Sequence, residues 1–292
     1  MTACPISSGY LRTIPSQFAS LTSFKVHYLE MGEGDPLILI HGGGMWLYSF
    51  RHNFRDLAGF FHVYALDMPG YGYTVPLGDT VSYGLDPAAD TLLEFMNERN
   101  IERASLLGHS WGGGWVLRFA SKYPERVERL ILIDSSGFNV PDVLEWELMK
   151  YPLIGELLMN FVTVGTVKKR LERSFFHRHM VSLAMAEEVH LPLTFPHNRK
   201  AQLQIARNQD WKLTESSLQE IRHPSLVIWG DHDAYLDAEL LHRFQGCLPN
   251  ARTFLFKQCG HSPHEEYPQD VNALITAYLK TKDRLIRGAE PI

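Results

Sequence analysis

Short apolar runs recur along the chain, and each is long enough to form one β-strand. They lie at residues 37–40, 63–66, 104–107, 130–133, 225–229 and 253–256. Because most of these runs are continuously apolar rather than alternating, they predict strands that are buried on both faces of a sheet. The segment from Phe24 to Leu29 instead alternates apolar and polar residues, which predicts a strand at the edge of that sheet.

Helical patterns separate these predicted strands. Asp86-Pro87 has the residue types of a helix start, with aspartate as the cap and proline at the first helical position. Apolar residues recur at helical spacing after this pair, after residue 114 and again from Val271 to Leu279. The alternation of strand and helix predicts an α/β fold, in which helices cover both faces of a mostly parallel, doubly wound sheet.

The alternation breaks between Gly137 and Trp211. This stretch is rich in apolar residues at helical spacing and has no strand pattern. It predicts a helical cap inserted after the strand that ends at Asp134. The chain would then divide into a first part of the core (1–136), the cap (137–211) and a second part of the core (212–292). The alternative is that these helices simply complete the core.

A basic patch lies within the predicted cap. It consists of Lys168-Lys169-Arg170 followed by Arg173. The simplest interpretation is a solvated helix face, and the alternative is a role in binding an acidic group.

Composition narrows the class of protein. The chain has 292 residues, 45% of them hydrophobic, and a formal net charge of −5, which argues against a nucleic-acid footprint. No apolar run approaches the length of a membrane span, and residues 1–9 lack the pattern of a secretory signal. The three cysteines, Cys4, Cys247 and Cys259, are too few and too scattered for a disulfide framework or a metal set. These features predict a cytoplasmic protein.

One motif lies between a predicted strand and a predicted helix. Gly108-x-Ser110-x-Gly112 has the pattern of a nucleophile elbow, in which a strained turn lifts a serine above the strand ends. Glycines two positions away leave room for the neighbouring backbone. The following helix points its free N–H groups at any oxyanion that forms beside Ser110.

A serine hydroxyl is a weak nucleophile, so it needs a histidine base and an acid that orients the base. In α/β sheets such residues come from loops at the carboxyl ends of strands. Asp233 and His261 both follow predicted strands by glycine-containing turns, and the order Ser, Asp, His differs from that of chymotrypsin and subtilisin. Asp231 and Asp134 are alternative acids. The loop His41-Gly42-Gly43-Gly44 is a candidate for half of an oxyanion hole.

Together these motifs resemble the α/β-hydrolase superfamily, in its capped esterase-like branch, from about Phe24 to Leu279. The matching pieces are His41-Gly42-Gly43-Gly44, Asp67-x-Pro69-Gly70-x-Gly72, Gly108-His109-Ser110-Trp111-Gly112-Gly113, Trp229-Gly230-Asp231-His232-Asp233 and Gly260-His261-Ser262-Pro263-His264. The resemblance implies that Asp233 is the acid and that the insertion is the cap. It also implies that Gly43 and Trp111 donate the oxyanion N–H groups.

The resemblance also ranks activities. Related epoxide hydrolases and haloalkane dehalogenases carry an aspartate nucleophile where Ser110 stands, which argues against both. The elbow and the glycine loop also resemble carbon–carbon hydrolases of ring-cleavage products and proline iminopeptidases. Those carbon–carbon hydrolases often have a tryptophan after the catalytic histidine, where this chain has Ser262.

The sequence therefore predicts a serine hydrolase that cleaves a carboxylic ester of a small to medium apolar substrate through an acyl-enzyme. No cofactor or metal is predicted, the partner is a small-molecule substrate, and a homodimer is an allowed assembly. Trp146, Leu157 and Phe161 are predicted to line the substrate pocket in the cap. The alternatives are a carbon–carbon hydrolase of a vinylogous diketone and a ligand receptor that does not turn over.

Overall fold

A computed structural model describes residues 8–281, so Cys4 and most of the segment tested for a secretory signal lie outside the described residues. Nine strands form one sheet. They are β1 (Gln17–Ser20), β2 (Phe24–Met31), β3 (Pro36–Ile40), β4 (His62–Leu66), β5 (Val75–Pro76), β6 (Ala104–His109), β7 (Val127–Ile133), β8 (Ser225–Gly230) and β9 (Ala251–Phe256). The order across the sheet is β1-β2-β4-β3-β6-β7-β8-β9, with β5 paired to β2.

The sheet is parallel from β4 to β9 and antiparallel at β1, β2 and β5. The predicted mostly parallel sheet is therefore confirmed. The prediction that Phe24 to Leu29 forms the edge is wrong, because β1 pairs outside this strand. β1 is only four residues long, which is too short for a clear periodic signal.

Successive residues of the central strands face opposite sides of the sheet. Ile38 and Ile40 of β3 pack into one apolar cluster, while Leu37 and Leu39 pack into the other. Both faces are thus covered, which explains why these strands are continuously apolar.

Helices cover each face. α2 (Leu85–Glu98), α3 (Trp111–Lys122) and α10 (Glu239–Cys247) lie on the side of Ile38, whereas α1 (Phe54–Ala58) and α12 (Pro268–Lys280) lie on the side of Leu37. α2 begins at Leu85, so Asp86 lies in its first turn rather than at its cap, and there it accepts a hydrogen bond from Arg118. A short helix, α11 (Pro263–Glu266), precedes α12.

The chain between β7 and β8 contains helices and no strand within the described residues. The α-helices are α4 (Leu144–Met149), α5 (Ile154–Asn160), α6 (Val164–Ser174), α7 (Leu183–His190), α8 (Pro196–Asn208) and α9 (Trp211–Ser217). Because β7 and β8 are neighbours in the sheet, these helices form an insertion in a single crossover. The limits 137 and 211 for a separate cap domain stay a prediction. Among residues 8–281, no helix combines the length and apolar character of a membrane span.

Candidate active site

The turn between β6 and α3 holds Ser110 in a strained conformation. Its φ is 51° and its ψ is −122°, a region that residues with a side chain rarely adopt. A Cβ atom at Gly112 would lie 2.3 Å from the carbonyl oxygen of Ile40, and one at Gly108 would lie 2.4 Å from that of Gly112. Both positions therefore require glycine. Hydrogen bonds from Ser110 N–H to Ile133 and from Ser136 N–H to Ser110 tie the turn to the end of β7.

Three side chains from three strand ends meet at this turn. The Oγ of Ser110 lies 3.0 Å from Nε2 of His261, and Nδ1 of His261 lies 2.7 Å from Oδ2 of Asp233. Ser110 and His261 are nearly buried, and the Asp233 side chain is fully buried. The second oxygen of Asp233 accepts the N–H groups of Tyr235 and Leu236 at 2.7 and 3.0 Å, which fixes the carboxylate towards His261.

The loop that carries His261 is held from several sides. The N–H of His261 donates to the carbonyl of Ser174 at the end of α6, at 2.6 Å. The carboxylate of Glu266 accepts the N–H of Gly260 at 2.7 Å and that of His177 at 2.8 Å. These bonds link the His261 loop to the insertion between β7 and β8.

His109 also supports this loop. Its Nε2–H donates to the carbonyl oxygen of His261 at 2.7 Å. Burial and the neighbouring His264 lower the pKa of His109 well below its usual value, so the ring is a neutral donor at pH 7. The motif contained no signal of this contact, because it joins two loops that are far apart in the chain.

The amides of Gly43 and Trp111 lie in the same cavity wall as Ser110. Trp111 is the first residue of α3, so its N–H has no acceptor within the helix, and no acceptor for Gly43 N–H occurs within residues 8–281. His41 shapes the glycine loop: Nδ1–H donates to the carbonyl of Gly42 at 2.9 Å, and Nε2 accepts the N–H of Met68 at 3.0 Å. Two amide donors without acceptors beside a serine are the groups that an oxyanion hole requires.

One cavity opens beside Ser110, and a second adjoins it. The first, of about 60 Å³, lies against Ser110, Trp111 and His261. The second, of about 520 Å³, lies among α4, α5, α6 and α8 and is mostly apolar. Val143, Trp146, Arg170 and Tyr235 border both. The insertion therefore supplies most of the enclosed space next to the serine.

The three residues predicted to line the pocket have different positions. Trp146 borders both cavities, and its ring centroid lies 4.6 Å from that of Trp111. Phe161 borders the larger cavity only. Leu157 lines neither cavity, so the geometry does not support a pocket role for it. It lies on the outer side of α5, which the apolar spacing alone did not distinguish from the inner side.

Comparison with known proteins assigns the chain to a family. Residues 35–161 and 189–268 match the family model for the alpha/beta hydrolase fold. The chain belongs to the α/β-hydrolase fold family. It is a hydrolase on this fold.

Several relatives align along most of the chain. It is 30% identical to the 2-hydroxy-6-oxononadienedioate/2-hydroxy-6-oxononatrienedioate hydrolase of Paraburkholderia phymatum, over 88% of this chain and 92% of that protein. It is 25% identical to the cis-3-alkyl-4-alkyloxetan-2-one decarboxylase of Shewanella oneidensis, over 94% and 91%. The carboxylesterase CesB of Bacillus subtilis shares the fold, with a TM-score of 0.80 and 20% identity over 93% of this chain and 94% of that one.

Another carboxyl group, that of Asp134, lies close to Asp233. Asp134 is fully buried at the end of β7, and one of its oxygens accepts the N–H of Gly230 at 2.9 Å. Potential ligand atoms of Asp134, Asp233 and His261 lie within 4.8 Å of one another. Burial and the neighbouring Asp233 raise the pKa of Asp134 well above its usual value, which favours its protonated form. A protonated Asp134 avoids a second negative charge beside Asp233, and this suits a hydrogen-bonded relay better than a cation site.

The basic patch does not form one solvated face. Lys168 pairs with Glu172 and lines neither cavity, whereas Arg173 pairs with Glu145 and both of these border the larger cavity. Arg170 instead turns inward, borders both cavities and donates to the carbonyl of Gly44 at 2.9 Å. The interpretation of the patch as a solvated helix face is therefore wrong for Arg170.

The geometry predicts which aspartate matters for turnover. Replacing Asp233 with asparagine should lower kcat/KM by at least ~10³-fold, because the amide favours the wrong tautomer of His261. Asp134→Asn should cost far less, since asparagine resembles a protonated aspartic acid and still accepts from Gly230. Asp231→Asn serves as a second control, because Asp231 contacts His232 and the Cys259 amide rather than His261. Steady-state kinetics of the three variants, with circular dichroism to verify folding, would measure this; an Asp134 variant as inactive as the Asp233 variant would contradict it.

Proposed function

We propose that this protein is a serine hydrolase that cleaves a carboxylic ester through an acyl-enzyme, with Ser110, His261 and Asp233 as the catalytic triad. One observation supports the proposal above the others: a continuous relay of hydrogen bonds runs from Asp233 through His261 to Ser110, beneath two amides without acceptors. Its substrate is a small molecule with an apolar portion, and we expect the reaction to occur in the cytoplasm.

The roles of the residues follow from the geometry. His261 accepts the proton of Ser110 through Nε2 as Oγ attacks the ester carbonyl, and the Nδ1–H bond to Asp233 stabilises the imidazolium that results. The amides of Gly43 and Trp111 stabilise the tetrahedral oxyanion. His261 then returns the proton to the leaving alcohol, and water releases the acid by the same steps in reverse.

A second candidate is hydrolysis of a carbon–carbon bond in a vinylogous diketone. It is supported by the relative from Paraburkholderia phymatum, whose name places it in that class, at 30% identity over most of both chains. The residue after His261 favours the ester instead, because Ser262 occupies the place where carbon–carbon hydrolases often have tryptophan.

Turnover of matched substrates tests the choice. The purified protein, with Ser110→Ala as the blank, is assayed on a p-nitrophenyl ester, the corresponding anilide and a 2-hydroxy-6-oxo-dienoate, under conditions of multiple turnover. We expect the highest kcat/KM on the ester and loss of turnover in the blank. A higher kcat/KM on the dienoate would favour the carbon–carbon candidate, and a single slow acylation without further turnover would favour a receptor.

Two further variants test whether the larger cavity selects the substrate. Trp146→Ala and Phe161→Ala enlarge this cavity, so both variants should prefer longer acyl chains than the parent does. Each methylene group that gains or loses contact should change the transition-state free energy by about 1–3 kcal/mol. Leu157→Ala is the control, because Leu157 is an apolar residue of the same insertion that lines neither cavity. The measurement is kcat/KM over p-nitrophenyl esters from acetate to decanoate. If all three variants keep the parent's preference, the substrate binds elsewhere.

A further inference from the structure

Arg170 carries a charge that nothing in the described structure neutralises. No carboxylate within residues 8–281 forms an ion pair with its guanidinium. Its one hydrogen bond goes to the carbonyl of Gly44, so most of its N–H donors remain available. Burial lowers the pKa of Arg170, although arginine still keeps its charge at pH 7.

The carboxylates of the small cavity are already paired. Asp142 lies 3.3 Å from the Lys150 ammonium, and Glu265 forms a buried ion pair with Arg51. Burial also raises the pKa values of both acids, which reduces the negative charge they offer. Within residues 8–281, Arg170 is therefore the cationic side chain of the small cavity that has no paired carboxylate.

The larger cavity also carries a net positive charge. Its charged lining residues are Glu145, Lys169, Arg170 and Arg173. Glu145 forms an ion pair with Arg173 at 3.2 Å, so the positive charges of Lys169 and Arg170 remain. The rest of the lining is mainly apolar. An apolar chamber with a cation at its junction with the catalytic cavity fits a molecule that has an apolar middle and an anionic end.

Local packing holds the guanidinium at this junction. Gly44 has a φ of +68°, and a Cβ atom there would lie 2.8 Å from Nη1 of Arg170. The third glycine of the loop 41–44 therefore lets Arg170 lie directly against the segment that also carries the oxyanion amide of Gly43. An anion bound by Arg170 would therefore lie near the oxyanion hole that Gly43 is proposed to form.

We propose that Arg170 binds a carboxylate of the substrate, so that the preferred ester also carries a free acid a few bonds from its scissile carbonyl. A guanidinium presents two parallel N–H donors to the two oxygens of a carboxylate, and binding removes the unpaired charge from the cavity. This inference rests on the proposed function for the position of the scissile ester, whereas the anion site itself rests on Arg170 and its surroundings.

Paired substrates test the proposal in turnover. p-Nitrophenyl hydrogen adipate carries a terminal carboxylate, and its methyl ester is the neutral partner. We expect the protein to prefer the anionic ester, and the ratio of the two kcat/KM values to fall about 10- to 100-fold in Arg170→Gln, as for loss of a charge-assisted hydrogen bond. Arg170→Lys should restore part of the ratio. Lys168→Gln removes a charge from the outer side of α6 and should leave the ratio unchanged.

A binding measurement separates this proposal from the ester chemistry. Monomethyl adipate is titrated into Ser110→Ala and into the double variant Ser110→Ala/Arg170→Gln, with the fluorescence of Trp111 and Trp146 in the cavity wall as the signal. The double variant should bind about 10- to 100-fold more weakly. If the parent turns over neither ester while this difference persists, the ester chemistry fails and the carboxylate site stands. Equal affinities, or equal substrate ratios in Arg170→Gln and Lys168→Gln, would overturn the carboxylate site.

Discussion

The close approach of three backbone segments around Ser110 is the constraint on which the site depends. The turn after β6 passes so near the carbonyls of Ile40 and His41 that a side chain at Gly112 would overlap them. β3 and β7 flank β6 in the sheet, so the same register that places Ile40 opposite Gly108 also places the end of β7 behind the serine. The strained dihedral angles of Ser110 persist because these neighbours leave the turn no other conformation.

Electrostatics at the site follow from its depth. Three carboxyl groups surround the relay, yet only Asp233 needs to be charged for His261 to be oriented. Burial next to Asp233 raises the pKa of Asp134 and so favours its protonated form, and Glu266 accepts hydrogen bonds from the amides of Gly260 and His177. One negative charge is thus directed at the imidazole, while the other two carboxyl groups accept hydrogen bonds from backbone amides. Arg170 provides the opposite sign on the substrate side.

The sequence predicted the parts of the molecule that depend on local pattern. The apolar runs located six strands, and the alternating segment from Phe24 located a seventh. The glycines around Ser110 located the turn because a tight backbone approach requires that residue type. Ser110, Asp233 and His261 each follow a predicted strand, which placed them together at the carboxyl ends of the strands. The structure brings their side chains together there.

The parts that depend on contacts between distant segments could not be predicted. Arg170 has the same sequence environment as its exposed neighbours, and only the packing of α6 against Gly44 turns it inward. His109 and the carbonyl of His261 are separated by most of the chain, so no motif indicated their hydrogen bond. Leu157 and Phe161 have similar apolar patterns and are both exposed, yet only Phe161 borders a cavity, because the position of a cavity depends on how the helices of the insertion pack together.

The central claim is that Ser110 becomes acylated during turnover, and rapid-quench mass spectrometry tests it most directly. The parent protein is mixed with a p-nitrophenyl ester, quenched within the first turnover and digested. We predict one acyl group per chain on the peptide that contains Ser110, and a decay of this adduct at the rate of steady-state turnover. Hydrolysis at the full rate without an adduct on Ser110, or with the adduct on another residue, would contradict the account.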